Sequence, residues 1–127
     1  MSAADNKAIS KQLIEVWGKG NLDDVAELCS ATFVRHGPAG EGEVRGPEGL
    51  QQLIARIREL MPDLQDEVVD QVGEGDKVAS RWTARGSHQG QQASIDGIII
   101  HRIASGRIEE EWAAYDAGAM MQQLGVG

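Results

Sequence analysis

Residues 49–72 read GLQQLIARIRELMPDLQDEVVDQV, and the spacing of their apolar positions changes halfway. Before Pro62, Leu50, Leu53, Ile54, Ile57 and Leu60 recur at steps of three and four, the stripe of a helix that buries one face. Pro47 stands where a helix favours its first residue, and Pro62, lacking an N–H and clashing with the turn before it, ends the helix. After Pro62 the pattern goes over to near alternation, the period of a strand with one buried face. The boundary divides the chain into a helical first part and a sheet-forming second part, which predicts an α+β domain.

Working outward, the alternation predicts strands at about Leu64–Val72, Lys77–His88, Ala93–Ile103 and Arg107–Tyr115. The turns between them, Gly73–Asp76, Gln89–Gln92 and Ala104–Gly106, are short enough to require antiparallel neighbours, so a meander is expected. Towards the N-terminus, Ile9, Leu13, Val16 and Trp17 give a first helix from Ala4 to Trp17, opened by a capping box of Ser2 with Asp5 and stopped by Gly18 and Gly20. Asn21 is expected to cap a second helix that carries Asp23 and Asp24 in its first turn and buries Val25, Leu28 and Cys29. Phe33–His36 reads as a short strand, and Gly37–Gly49, rich in Gly and Pro, as an irregular loop.

The length of 127 residues suits one domain, residues 1–127, with room for a proper core. Twelve Lys and Arg against twenty Asp and Glu leave a formal charge of −8, which disfavours nucleic acid and anionic membrane surfaces as partners. The first eleven residues lack the continuous apolar stretch of a secretory signal, and the longest run of strong hydrophobes is Ile98–Ile100, so no membrane span and a cytoplasmic location are expected. The lone Cys29 excludes an intrachain disulfide and agrees with a reducing compartment. No histidine and acid spacing fits a metal, and no glycine pattern fits a nucleotide, so the expectation is a site with no cofactor and no metal.

This order of elements, together with the tail Gly106-Arg107-Ile108-Glu109-Glu110-Glu111-Trp112, the following Ala113-Ala114-Tyr115-Asp116 and the run Met121-Gln122-Gln123-Leu124-Gly125, resembles the SnoaL-like polyketide cyclase family. The likeness extends to GNLDDVAELCSATFVRHGP at 20–38 and RGPEGLQQLI at 45–54, nearly the whole chain. It implies a nuclear transport factor 2-like fold, a curved and mostly antiparallel sheet wrapped around helices into a cone with a pocket. It leaves the chemistry open, because one fold hosts many reactions. The family pattern Glu-His-Trp, with an Asp four residues after the Trp, is met by Glu110, Trp112 and Asp116, while Glu111 stands in place of the His. The position that the resemblance assigns to the acid/base Asp of the family's ester cyclases is Ala113, and the loop over the pocket is shortened to 86–92.

A three-residue turn at Ala104–Gly106, with Ile103 opposite Arg107, pairs Ile99 with Glu111, His101 with Glu109 and Gly97 with Ala113. Alternation then puts Ile99, His101, Glu109, Glu111, Ala113 and Tyr115 on one face, which the resemblance makes the pocket wall. Ile98, Ile100 and Trp112 fall on the other, a candidate homodimer contact. Glu111 is the leading acid/base candidate, its pKa raised by apolar company; otherwise it is a rim glutamate, solvated or paired with an arginine. Arg35, inward if Phe33 is inward, would pin a substrate oxygen or pair with Glu111, and His36 would assist near the mouth. Trp17, Trp82 and Tyr115 would stack on a ligand ring or fill core, and Ile99 is a candidate ligand contact. His101 is an oriented base or a solvent-facing residue near the turn, and Asp116 a ligand contact or a helix cap. The resulting expectation is a pocket for a small apolar or aromatic carbonyl compound, with cofactor-free aldol cyclisation, isomerisation or dehydration. A non-catalytic binding module and an epoxide hydrolase-like enzyme are the alternatives.

Overall fold

A computed structural model describes residues 2–38 and 41–126. Helix α1 (Ala3–Lys19) opens with the expected capping box, Ser2 Oγ accepting from the Asp5 N–H, and ends at Gly20 in the left-handed conformation. Helix α2 (Asp24–Leu28) is a single short turn and a half; its N-cap is Asp23, with no side-chain hydrogen bond, and Asn21 instead donates to the Asp24 carboxylate. Cys29, expected in that helix, begins strand β1 (Cys29–His36), longer than the sequence suggested. A short β2 (Glu43–Arg45) pairs with β1 inside the stretch read as loop, whose residues 39 and 40 lie outside the described residues. Helix α3 (Gly46–Leu60) carries Pro47 in its first turn and buries Leu50 and Ile54.

Beyond Pro62 come β3 (Gln65–Glu74), β4 (Lys77–His88), β5 (Gln91–Ala104) and β6 (Arg107–Ala114), and then helix α4 (Ala117–Leu124). The six strands form one sheet in the order β2-β1-β6-β5-β4-β3. All neighbours are antiparallel except β1 and β6, which run parallel and bring the first strand against the last. Three irregularities, in β1, in β3 and between β5 and β6, break the ladder, as bulges that bend strands do. The helices cover one face, where Leu13 and Val16 of α1 and Leu50 and Ile54 of α3 meet Phe33, Val78, Ile103 and Ile108 from the sheet. A second cluster of Met61, Leu64, Ala93, Met120 and Leu124 closes the end under α4. Among the described residues no helix is long and apolar enough to cross a membrane.

The β5–β6 hairpin departs from the expected register. Ser105 and Gly106 both have positive φ, so the turn is a two-residue loop of the kind that matches strand twist, with Ala104 opposite Arg107. A bulge then inserts one residue, and from there Arg102 faces Glu110, His101 faces Glu111 and Ile99 faces Ala113. Relative to the expected pairing the slip totals two residues, and an even slip preserves the face of every residue beyond the bulge. Glu109, at the bulge, does not join the inner face; it accepts hydrogen bonds from Ser30 and Thr32 of β1 instead.

Candidate functional site

The inner face of the sheet and the helices enclose a cavity with about 80 Å³ open to the centre of a water-sized sphere. Its walls are Ile14 and Trp17 of α1, Ile57 and Met61 at the end of α3, Leu64, and Trp82, Ala84, Ile95 and Ile99 of the sheet, closed by Ala113 and Met120. Among the described residues three polar side chains reach it: Arg35, Asp66 and Tyr115. Of the expected ligand contacts, Trp17, Ile99 and Tyr115 line this space. Trp82 does so because Gly97 opposite it has no Cβ: one built there would run into the indole. The indole also meets Tyr115 edge-on, with ring centroids 5.7 Å apart.

Arg35 points inward from β1, as alternation with Phe33 requires, and is only 3 % exposed. Its guanidinium lies 5.4 Å over the Trp17 ring, and Nη1 donates to Glu111 Oε2 at 2.5 Å. Glu111, 1 % exposed, accepts a second hydrogen bond at Oε1 from His101 Nε2 at 2.7 Å. Burial alone would raise the Glu111 pKa, but the Arg35 charge and the hydrogen bonds outweigh it and hold the carboxyl at about 2. The raised pKa expected from the sequence is thereby overturned, because apolar company was not the whole environment. Glu111 does not line the cavity; it stands behind Arg35 and fixes it.

An ionised Glu111 can only accept, so His101 Nε2 carries a hydrogen, and with a neutral ring Nδ1 accepts from Ser10 Oγ, 2.5 Å away. Ser80 Oγ lies 3.4 Å from Ser10 Oγ and takes a hydrogen bond from the Gln71 amide. Ser10, His101 and Glu111 thus share the connectivity of a nucleophile, base and carboxylate. All three are buried and none lines the cavity, so the row braces the fold and offers no nucleophile. His101 is therefore fully buried, against the solvent-facing alternative; Ser10 of α1, packed over the hairpin, covers it. Cys29 is equally inert, burial and the nearby Glu111 charge pushing its thiol pKa far up.

Two other candidates leave the site. His36 follows Arg35 and so points to the opposite face, where it stacks on Trp112 at 5.6 Å and meets Glu110 at 2.6 Å. Asp116 caps α4, its Oδ1 accepting from the Ala119 N–H at 2.8 Å, and does not line the cavity. Tyr115 remains a phenol: burial and the Glu41 carboxylate, to which its hydroxyl donates, raise its pKa to about 12.

Asp66 went unnoticed in the sequence. It pairs with Ala84, which pairs with Ile95, and all three line the cavity from one row of the sheet. Burial, with the negative charge of Glu15 added, pushes its carboxyl up to about 6. Gly18 makes room for it, since a Cβ there would stand 2.6 Å from Asp66 Oδ1. The available signal was its place between Leu64 and Val68, which would otherwise make an unbroken apolar face. Among the described residues no group of three or more His, Cys, Asp or Glu could hold a metal ion.

Helices packed on one face of a curved, mostly antiparallel sheet around an interior pocket define the nuclear transport factor 2-like class of α+β protein. The chain belongs to the SnoaL-like polyketide cyclase family, whose model matches residues 7–124. Among solved structures it is similar to a candidate polyketide cyclase from Bacillus cereus ATCC 10987, at 26 % identity and TM-score 0.86, covering 97 % of this chain and 83 % of that one. It is also similar to wild-type IdmH, a candidate polyketide cyclase from Streptomyces antibioticus, at 27 % identity and TM-score 0.80, covering 99 % and 100 %. AclR, a candidate hydroxylase from Streptomyces galilaeus, is 26 % identical with TM-score 0.83, covering 98 % of both chains. No functionally curated protein matches the chain.

Proposed function

We propose that the cavity binds a small apolar carbonyl compound and that the protein acts on it by cofactor-free acid/base chemistry, as an aldol cyclase, isomerase or dehydratase. The observation that carries this reading is an apolar chamber into which a charged arginine and a half-buried carboxyl both reach. Membership of a cyclase family agrees with it. Epoxide hydrolysis, which on this fold needs a water held between carboxylates, finds only Asp66 among the described carboxylates lining the cavity.

A second reading, a binding module without turnover, is favoured by Ala113. It lines the cavity at the position where the family resemblance puts the acid/base residue, and a methyl group moves no proton. Both readings need the chamber to take a ligand. The test is a titration of the protein's tryptophan fluorescence with 2-tetralone, since Trp17 and Trp82 are wall residues. Saturable quenching is expected, lost in Ala113→Leu, which fills the chamber. A response that Ala113→Leu leaves unchanged would put the ligand elsewhere.

We also infer that a second copy of the chain covers the outer sheet face. Ile98 and Ile100 are 51 % and 37 % exposed there, beside Trp112. One layer of helices leaves this face without cover, and contiguous exposed apolar surface of this kind is characteristic of an interface.

A further inference from the structure

We propose that Asp66 is the catalytic acid/base of this cavity, and that the ligand lies between it and Arg35, a carbonyl oxygen on the guanidinium and an acidic C–H towards the carboxylate. The inference rests on the reading of the chamber as a carbonyl-compound site and names the residue that the family position, occupied by Ala113, does not provide.

The geometry separates the two polar groups onto different elements. Arg35 comes from β1, next to one edge of the sheet, and Asp66 from the start of β3 at the other edge, with wall residues of β6, β5 and β4 between them. Glu111 and the row behind it hold Arg35 at Nη1, while the guanidinium still borders the chamber. A guanidinium has five N–H donors in a rigid fork, so one bond to Glu111 does not exhaust it. Asp66 has the complementary properties. Gly18 leaves space for its carboxyl against α1, and the same residue also borders a shallow groove with Gln65, Glu67, Thr83 and Arg85, which gives it a route to exchange protons with water. Its carboxyl, raised to about 6, is mostly ionised at neutral pH yet basic enough to accept a proton from carbon. Glu111, at about 2 and sealed from the chamber, meets neither condition.

The step balances without any co-reactant. The Asp66 carboxylate takes a proton from the carbon next to the carbonyl: the C–H bond breaks, an O–H bond forms on Asp66, and the electron pair moves through the new C=C bond onto the oxygen held by Arg35. Where the ketone carries a β,γ double bond the product is a dienolate, and returning the proton to its γ-carbon, with the double bond moving into conjugation with the carbonyl, completes an isomerisation. Attack of the enolate carbon on a second carbonyl of the same molecule, with the Asp66 proton passing to the new alkoxide, completes an aldol ring closure. Nothing is oxidised or reduced. The substrate class is thus an apolar, ring-bearing ketone with an activated C–H.

The experiment measures exchange of the C1 protons of 2-tetralone for deuterium in D2O by NMR, beside its binding by tryptophan fluorescence, in the wild type, Asp66→Asn and Asp66→Glu. The expected result is catalysed exchange that increases as pH rises through about 6, falls by roughly 100-fold or more in Asp66→Asn and returns in part in Asp66→Glu, with binding kept throughout. Binding without catalysed exchange, or exchange that survives in Asp66→Asn, overturns the role of Asp66 and leaves the chamber reading intact. Absence of binding in the wild type overturns the chamber reading and this inference with it.

Discussion

Replacing Glu111 by Gln tests whether its charge or merely its shape holds the interior. The two carboxylate oxygens accept from Arg35 and His101 at 2.5 and 2.7 Å, and the amide has only one acceptor. With its oxygen on Arg35, its NH2 faces His101 Nε2, which can accept only after the ring hydrogen moves to Nδ1 and turns to Ser10 Oγ, and the Arg35 charge still loses its counter-ion at a site only 3 % exposed. Removing one partner of a buried pair costs about 3–5 kcal/mol, a large share of the ~5–15 kcal/mol expected of a domain this size. The loss should have a distinctive pH dependence. Glu111 titrates at about 2 in the folded state against an ordinary 4.5, so between these values the unfolded chain binds a proton that the folded one refuses. Its contribution is therefore full above about 4.5 and disappears as pH falls toward 2. Urea unfolding followed by tryptophan fluorescence at pH 7, 5, 4 and 3 should show the gap between wild type and Glu111→Gln constant at first and then closing. In the double variant Arg35→Met with Glu111→Gln, which removes both charges, part of the loss should return. A gap below about 1 kcal/mol that does not change with pH would refute the buried ion pair.

Three further outcomes follow from the packing and the charges. Gly97→Ala drives a methyl into the Trp82 indole and toward the Ala114 carbonyl, and should cost about 2–3 kcal/mol in urea unfolding and weaken 2-tetralone quenching. Asp66→Asn should stabilise the fold above pH 6 by about 1–2 kcal/mol once solvent screening is allowed for. The raised carboxyl contributes stability fully below 3.8 and loses it as pH rises through about 6, so the advantage of Asn should vanish in acid unfolding measurements below pH 4. Ile100→Glu places a charge on the outer face, and sedimentation at low micromolar concentration should show a dimer in the wild type and a monomer in the variant. An unchanged mass would move the contact elsewhere.

How far the sequence could be read depended on the range of the cause. Pro62, the α3 stripe and the alternation after it act over a few residues, and the strands they imply are present, with β4 at Lys77–His88 as expected. Strand β2 escaped because three residues between glycines carry no periodicity, and it exists only by pairing with β1. The hairpin register turned on Ser105, a non-glycine residue with φ of 52°, and on a bulge that no local pattern announces. The direction of Arg35 was legible from Phe33 by alternation. Pairing with Glu111 was one of the two roles that direction allowed, and the pairing of β1 with β6, which sets the two side by side, is what turns the carboxyl's expected rise into a fall. Asp66 shares the face of Leu64 and Val68 by alternation, so its direction was open to reading, but that this face borders a chamber needed Ala84 and Ile95 beside it.

The parallel pairing of β1 with β6 also sets the order in which the molecule can be assembled. Cys29 to His36 find their partners at Ile108 to Trp112, so the centre of the sheet stays unfinished until residue 112 has been synthesised. A nascent chain on the ribosome can form α1, α3 and the β3–β4 hairpin early, yet Arg35 has no carboxylate and Phe33 no sheet neighbour on that side until the last strand emerges. Such long-range closure slows folding compared with local contacts, because the loop between β1 and β6 must be ordered before their pairing stabilises it.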